Sequence, residues 1–154
     1  MPNGDPNFDP AKQDRWFQPI APTIEAFAKR HNLSLEKYYH DSPAWFLRFA
    51  HPKGGDASIQ ITNFADLVGV ISSWAFDDDD LATRYLHWED AKRVTKDPHT
   101  LLNALNASFR YILTREFGDW NQVSTDRANK RRRERLGIKV TRQQYPVPRL
   151  DDIE

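Results

Sequence analysis

The stretch that decides the fold is "AWFLRFAHPKGGDASIQIT", residues 44–62. Its first half alternates, so that Trp45, Leu47 and Phe49 fall on one side of an extended chain and Phe46 and Arg48 on the other. "HPKGGD" (51–56) is turn chemistry, and alternation resumes with Ile59 and Ile61 on the inner side. Two alternating runs around a short Gly-rich turn predict an antiparallel hairpin.

The same period extends outward. Upstream, Leu33, Leu35 and Tyr39 share a face, with Lys37 as the polar exception, and "DSP" (41–43) supplies a turn. Downstream, "DLVGVISSWAF" (66–76) places Val68, Val70, Trp74 and Phe76 on one face. Leu67, Gly69 and Ile71 occupy its other face, which predicts a strand covered on both sides. Four strands joined by short turns read as a meander. "LATRYLHWEDAKRV" (81–94) adds either a fifth strand or a helix with Leu81, Tyr85 and Trp88 on its face. The aromatic β-formers of "RYLHW" favour the strand.

Helical signals flank the sheet. Pro19 and Pro22 punctuate a start, and Ile20, Ile24, Phe27 and His31 recur at helical spacing. Lys29, Arg30 and His31 suit a last turn, and Asn32 suits a left-handed stop. A longer helix opens with Asp97 as cap and Pro98 at the first position. Leu101, Leu102, Leu105, Phe109, Ile112 and Leu113 form its apolar stripe to about Phe117, with Gly118 as the stop. Burying that stripe contributes on the order of 10 kcal/mol before entropy is set against it. Asn103, Asn106, Arg110 and Thr114 make its polar face.

The expected class is therefore α+β. It combines a short N-terminal helix, a four- or five-stranded antiparallel meander, and a long helix over about 98–117 packed on one face. A basic C-terminal helix and tail follow. Residues 1–14, with three prolines and Phe8 as their one apolar anchor, read as flexible or laid extended. Residues 15–122 form the domain. Residues 123–154 comprise a polar basic helix and an extended tail, the helix with Ser124 and Thr125 as cap-like residues and Gly137 as stop. The tail, which contains "PVP", follows it.

Composition narrows the functions. A chain of 154 residues that is 39% hydrophobic and 12% aromatic has enough apolar mass for one core. At this length a fold buries roughly 70% of its unfolded surface. Basic and acidic residues balance at 22 each, so electrostatic recognition must come from local segregation. The absence of cysteine excludes disulfides, thiolate metal sites and cysteine nucleophiles. No N-terminal apolar region resembles a secretory signal, and no apolar run reaches the ~18 residues that span a bilayer. The expectation is a cytoplasmic protein with no membrane partner and no cofactor.

Two charge runs dominate. "FDDDD" (76–80) brings together Asp77, Asp78, Asp79 and Asp80. On a strand, adjacent aspartates point alternately to opposite faces, so only alternate ones can share a cation. No calcium-loop spacing follows, and a solvated connection at an element boundary is the expected role. His87 and Glu89 form a His-x-Glu pair beside Tyr85, but a facial triad needs a further, distant histidine. His99 lies close by, and the histidines read as structural. Ser72 and Ser73 lie inside an apolar strand rather than on a nucleophile elbow, and "KGGD" lacks the setting of a phosphate loop.

The second run is "NKRRRER" (129–135), in which Lys130, Arg131, Arg132, Arg133 and Arg135 follow Arg127 by one turn. Cations distributed around a helix suit phosphate-backbone binding, which reads charge rather than sequence. Aromatics do not interleave with them, so base stacking is not indicated. The order helix, antiparallel strands, helix is similar to the frataxin arrangement. Frataxins carry their acidic iron-contacting ridge largely on the first helix. Here that helix offers only Glu25 and ends basic, so the likeness is of element order and implies no shared function.

The leading expectation is a small non-catalytic interaction module. Its basic C-terminal segment would bind a nucleic acid or an acidic protein surface. One alternative is an inhibitor or immunity-type protein binding a basic protein through Asp77–Asp80. Another is an enzyme with an acid–base or metal site on the sheet near Tyr85, His87 and Glu89.

Overall fold

The computed structural model describes residues 9–39, 43–77, 83–87, 92–115, 122–124 and 145–150. The fold is α+β, as the alternation and the helical stripe predict. Two short helices, α1 (Pro10–Phe17) and α2 (Ala21–His31), precede the strands β1 (Ser34–Tyr38), β2 (Ala44–Ala50), β3 (Asp56–Phe64) and β4 (Leu67–Asp77). Then come β5 (Thr83–His87), β6 (Lys92–Val94), the long helix α3 (Pro98–Leu113) and β7 (Gln122–Ser124). β1 to β5 form an antiparallel meander in chain order, extended by β7 on β5. β6 pairs with Val68–Val70 of β4, beyond the stretch that β5 occupies.

Register explains the core. Leu35, Leu47, Ile59 and Ser72 stand opposite one another across four strands, and Trp45, Ile61 and Val70 across three. Trp45, Leu47, Phe49, Ile59, Ile61, Val68, Val70 and Trp74 are all completely buried. α3 packs on β3, β4 and β6, and α2 packs on α3 and β1. Phe109 of α3 is the hub, meeting Phe27 and Phe49 edge-on at 5.7 and 5.1 Å. Edge-to-face rings exploit the quadrupole as well as the buried area. Leu101, Leu105, Phe109 and Ile112 are fully buried, which is worth roughly 6–12 kcal/mol of gross apolar transfer.

The N-terminal segment departs from the extended reading. Residues 10–17 are helical, because Asp9 caps by accepting the Ala11 N–H at 3.0 Å and Pro10 takes the first turn. Phe17 then stacks on Trp45 at 4.8 Å, and Trp16 Nε1 donates to the Ala65 carbonyl. The α2 stop is as predicted, with Asn32 left-handed at φ 58°. α3 stops at Leu113, short of Phe117, and Thr114 turns its hydroxyl back onto the Arg110 and Tyr111 carbonyls. Phe117 and Gly118 lie outside the described residues. β4 is covered on both faces only in part. Phe64 lies across Gly69, where any Cβ would collide with its ring, and Arg93 sits 4.6 Å above that ring. Leu67 remains exposed. Among the described residues no helix is long and apolar enough to cross a membrane.

Two carboxylates tie local structure to pH. Asp97 caps α3 by accepting from the Thr100 N–H and hydroxyl, which holds its pKa below the ordinary carboxylate value. Asp14 is lowered likewise, by accepting from the Tyr39 hydroxyl and from Gln18. Each folded-state pKa is depressed, so each contribution is present above the unfolded pKa and disappears as pH falls through the folded one. The thermal midpoint is therefore expected to fall between pH ~5 and ~2.5, and less steeply in a D14N/D97N double variant. Asparagine keeps the acceptor oxygen and removes only the charge. Parallel pH profiles for the variant and the parent would contradict this assignment.

Candidate functional site

The structure places the sequence-derived candidates unequally. Asp77 ends β4 opposite Thr83, so the acidic run leads from β4 towards β5, and 83–87 is strand rather than helix. Asp78, Asp79 and Asp80 lie outside the described residues, as does Glu89. Tyr85 stands opposite Ala75, and His87 opposite Ser73. Arg127, Lys130, Arg131, Arg132, Arg133 and Arg135 also lie outside the described residues. Among the described residues, no three His, Asp or Glu side chains gather to hold a metal ion.

What is described is the chain on either side of the basic run. On one side Ser124 closes β7, paired with Thr83 at the sheet edge. On the other, residues 145–150 return to the body. Pro146 accepts the Ala50 N–H at 2.8 Å, two residues beyond Arg48, where the pairing of β1 with β2 stops. The Arg149 N–H donates to the His31 carbonyl at 2.7 Å, and His31 Nδ1 donates back to the Arg149 carbonyl at 2.9 Å. Asn32 Nδ2 donates to the Val147 carbonyl. Tyr145 lies within cation–π reach of Arg48, itself paired with Glu36. "PVP" thus continues as a fixed strap, because prolines leave their carbonyls free to accept while forgoing strand pairing.

A second feature has no signature in the sequence. Between α2 and α3 lies a groove of about 510 Å³, within the usual size range of small-ligand sites. Phe27, His31 and Leu102 line it, with Arg30 contributed by α2 and His99, Asn103 and Asn106 by α3. Helical spacing explains the set. Phe27 and His31 are one turn apart on the buried face of α2, while His99, Asn103 and Asn106 follow one another along α3. The His31 ring is 1% exposed and lies 4.7 Å from Phe27 and 4.9 Å from Phe109. Its Nδ1 must carry a proton to reach the Arg149 carbonyl, which leaves Nε2 as the ring's other polar atom.

The other histidine buried among the described residues is structural. His51 stacks on Trp74 at 3.7 Å and 7°. Its Nδ1 accepts the Lys53 N–H and its Nε2 donates to the Ile112 carbonyl, so both nitrogens are committed and the tautomer is set. The hairpin turn is thereby fastened to the end of α3, a link that Lys53 Nζ repeats at the Arg115 carbonyl.

Comparison with protein-family models, with curated proteins and with solved structures found no match to this chain. The likeness in element order to frataxins therefore stands without support, and the functional argument rests on the residues themselves.

Proposed function

We propose that this chain is a non-catalytic cytoplasmic interaction module that binds a polyanion, nucleic acid foremost, through the basic segment between β7 and the C-terminal strap. The observation that carries the reading is the anchorage of both flanks, by β7 pairing on one side and by the Pro146 and Arg149 hydrogen bonds on the other. A segment held at two points on one body loses less conformational entropy on binding than a free tail. Charge segregation supports it as well. Residues 125–144 hold eight of the 22 basic and two of the 22 acidic residues, so they carry six net positive charges and the rest of the chain six net negative.

The test is fluorescence anisotropy with labelled mixed-sequence DNA and RNA across a salt series. Neutralising four to six phosphates predicts a slope of log K against log salt of roughly −3 to −5. An R131A/R132A/R133A variant is expected to lose about two to three units of that slope and at least tenfold in affinity at low salt. Absence of binding at low salt, or an unchanged triple variant, would end the proposal.

The second reading, an acidic surface at Asp77–Asp80 for a basic protein, draws on the placement of that run between β4 and β5. Alanine at those four positions would abolish capture of such a partner. A sheet-borne enzyme site near Tyr85, His87 and Glu89 would depend on Glu89, which lies outside the described residues.

A further inference from the structure

We infer that the sheet face turned away from α3 is a platform for the unpaired bases of a single-stranded nucleic acid, with Arg93 as its principal stacking surface. This deepens the polyanion reading above, on which it rests: phosphate contacts position a strand, and contacts to the bases remain to be made. Residues 125–144 contain no aromatic side chain, so a strand held there by its phosphates must find its stacking partners on the body.

Register assigns the face. Phe109 of α3 meets Phe49, so Trp45, Leu47 and Phe49 point inward, while Phe46, Gln60, Phe64, Leu67, Ile71 and Arg93 alternate to the other side. Phe64 and Leu67 stand opposite each other and are 41% and 37% exposed, which leaves apolar surface in water at one end of the face. The Phe64 ring lies across Gly69, and the Arg93 guanidinium sits 4.6 Å above it. Arg93 is exposed, and among the described residues it has no carboxylate partner. A planar cation seated on a ring is pre-organised to take a base on its outer side, since every base has a π-face. A base would use the apolar area of Phe64 and Leu67 together with the cation, whereas a carboxylate would use the cation alone. From there the face continues over Ile71 and Gln60, both half-buried, to Phe46, which stands opposite Gln60. Gln60 is roughly 13 Å along β3 from Phe64, room for two or three bases. Arg48 lies 4.5 Å over Phe46 and 5.7 Å from the Tyr145 ring, at the point where the chain returns from the basic segment. One flank of the phosphate-binding segment therefore arrives on the same face as the stacking side chains.

The test titrates the full chain with a ten-nucleotide oligodeoxyadenylate and with an abasic strand of the same length, which has the same phosphates and no bases. Fluorescence anisotropy gives the affinities, and two-dimensional amide NMR locates the contacts. The oligodeoxyadenylate is expected to bind at least about fivefold more tightly at an equal salt slope, with its additional amide shifts at residues 60–71 and 92–94. R93K, at an exposed position, keeps the charge and removes the planar surface. It should erase that advantage and leave the affinity for the abasic strand unchanged. The R131A/R132A/R133A variant should weaken both strands together and preserve their ratio, which separates the platform from the basic segment. Equal affinities for the two strands, or an R93K variant that keeps the full advantage, would overturn the inference and leave the phosphate reading standing. No binding of either strand would overturn both. Poly-glutamate that shifts the same amides as strongly as the oligodeoxyadenylate would assign the face to an acidic protein, and would overturn the inference as well.

Discussion

Replacing Trp74 with alanine is expected to cost about 3–5 kcal/mol of folding stability, a large part of the roughly 5–15 kcal/mol available to a domain of this size. Trp74 is completely buried, at the point where β4 meets the β2–β3 turn. Its indole N–H donates to the Gly54 carbonyl at 2.7 Å, and its ring lies flat against His51. Alanine removes the volume, the donor and the stack together. His51 then loses the surface that orients it toward the Ile112 carbonyl, so the damage spreads to the end of α3. Trp74→Phe keeps most of the volume and forfeits the Gly54 hydrogen bond, and should cost about 1–3 kcal/mol. Urea unfolding of the three proteins measures the series. A W74A loss under about 1 kcal/mol would mean that the turn and α3 are not coupled through this residue.

Ending the chain at Gln144 is expected to be nearly as severe. Four hydrogen bonds disappear: Ala50 N–H to Pro146, Arg149 N–H to His31, His31 Nδ1 to Arg149, and Asn32 Nδ2 to Val147. At about 0.5–1.5 kcal/mol net each, the loss is roughly 2–6 kcal/mol. Its upper part applies if the His31 nitrogen stays buried without an acceptor. Amide exchange should accelerate first at Ala50 and along the last turn of α2, the places the strap covers. A truncated chain with parental stability and parental exchange at Ala50 would show that the strap is not a structural part of the domain.

Both predictions depend on features of unequal legibility in the sequence. The strand faces were readable because each buried residue sits at a period of two, and Trp45, Leu47, Phe49, Ile59 and Ile61 are all fully buried as that period requires. α3 was readable because Asp97–Pro98 starts it and a 3.6-residue stripe sustains it. The same Asp–Pro pair, Asp9–Pro10, starts α1, yet the surrounding prolines and the short apolar run made that stretch look extended. Phe17 settles the matter in three dimensions by stacking on Trp45, a contact between residues that no local pattern connects. β6 is three residues long, too short for any period to register.

The groove was illegible for a related reason. Asn103, Asn106 and His99 read simply as the polar side of a helix, and His31 as an odd member of an apolar stripe. They become one surface only when α3 is laid beside α2, about seventy residues earlier in the chain, and that placement is decided by Phe109 meeting Phe27 and His31. The strap was half legible: the prolines excluded helix, but the acceptors they leave exposed gave no hint of which donors they serve. Charge runs stand out in any sequence, whereas their partners are chosen by topology.

We propose that anchoring both flanks of the basic segment tightens its binding. The direct test compares the intact chain with a synthetic peptide of residues 125–144, both titrated against the same single-stranded RNA at one fixed low salt concentration. Double anchorage predicts that the intact chain binds at least about tenfold more tightly than the peptide, at an equal salt slope. Equal affinities would contradict it, because the charges alone would then account for all of the binding.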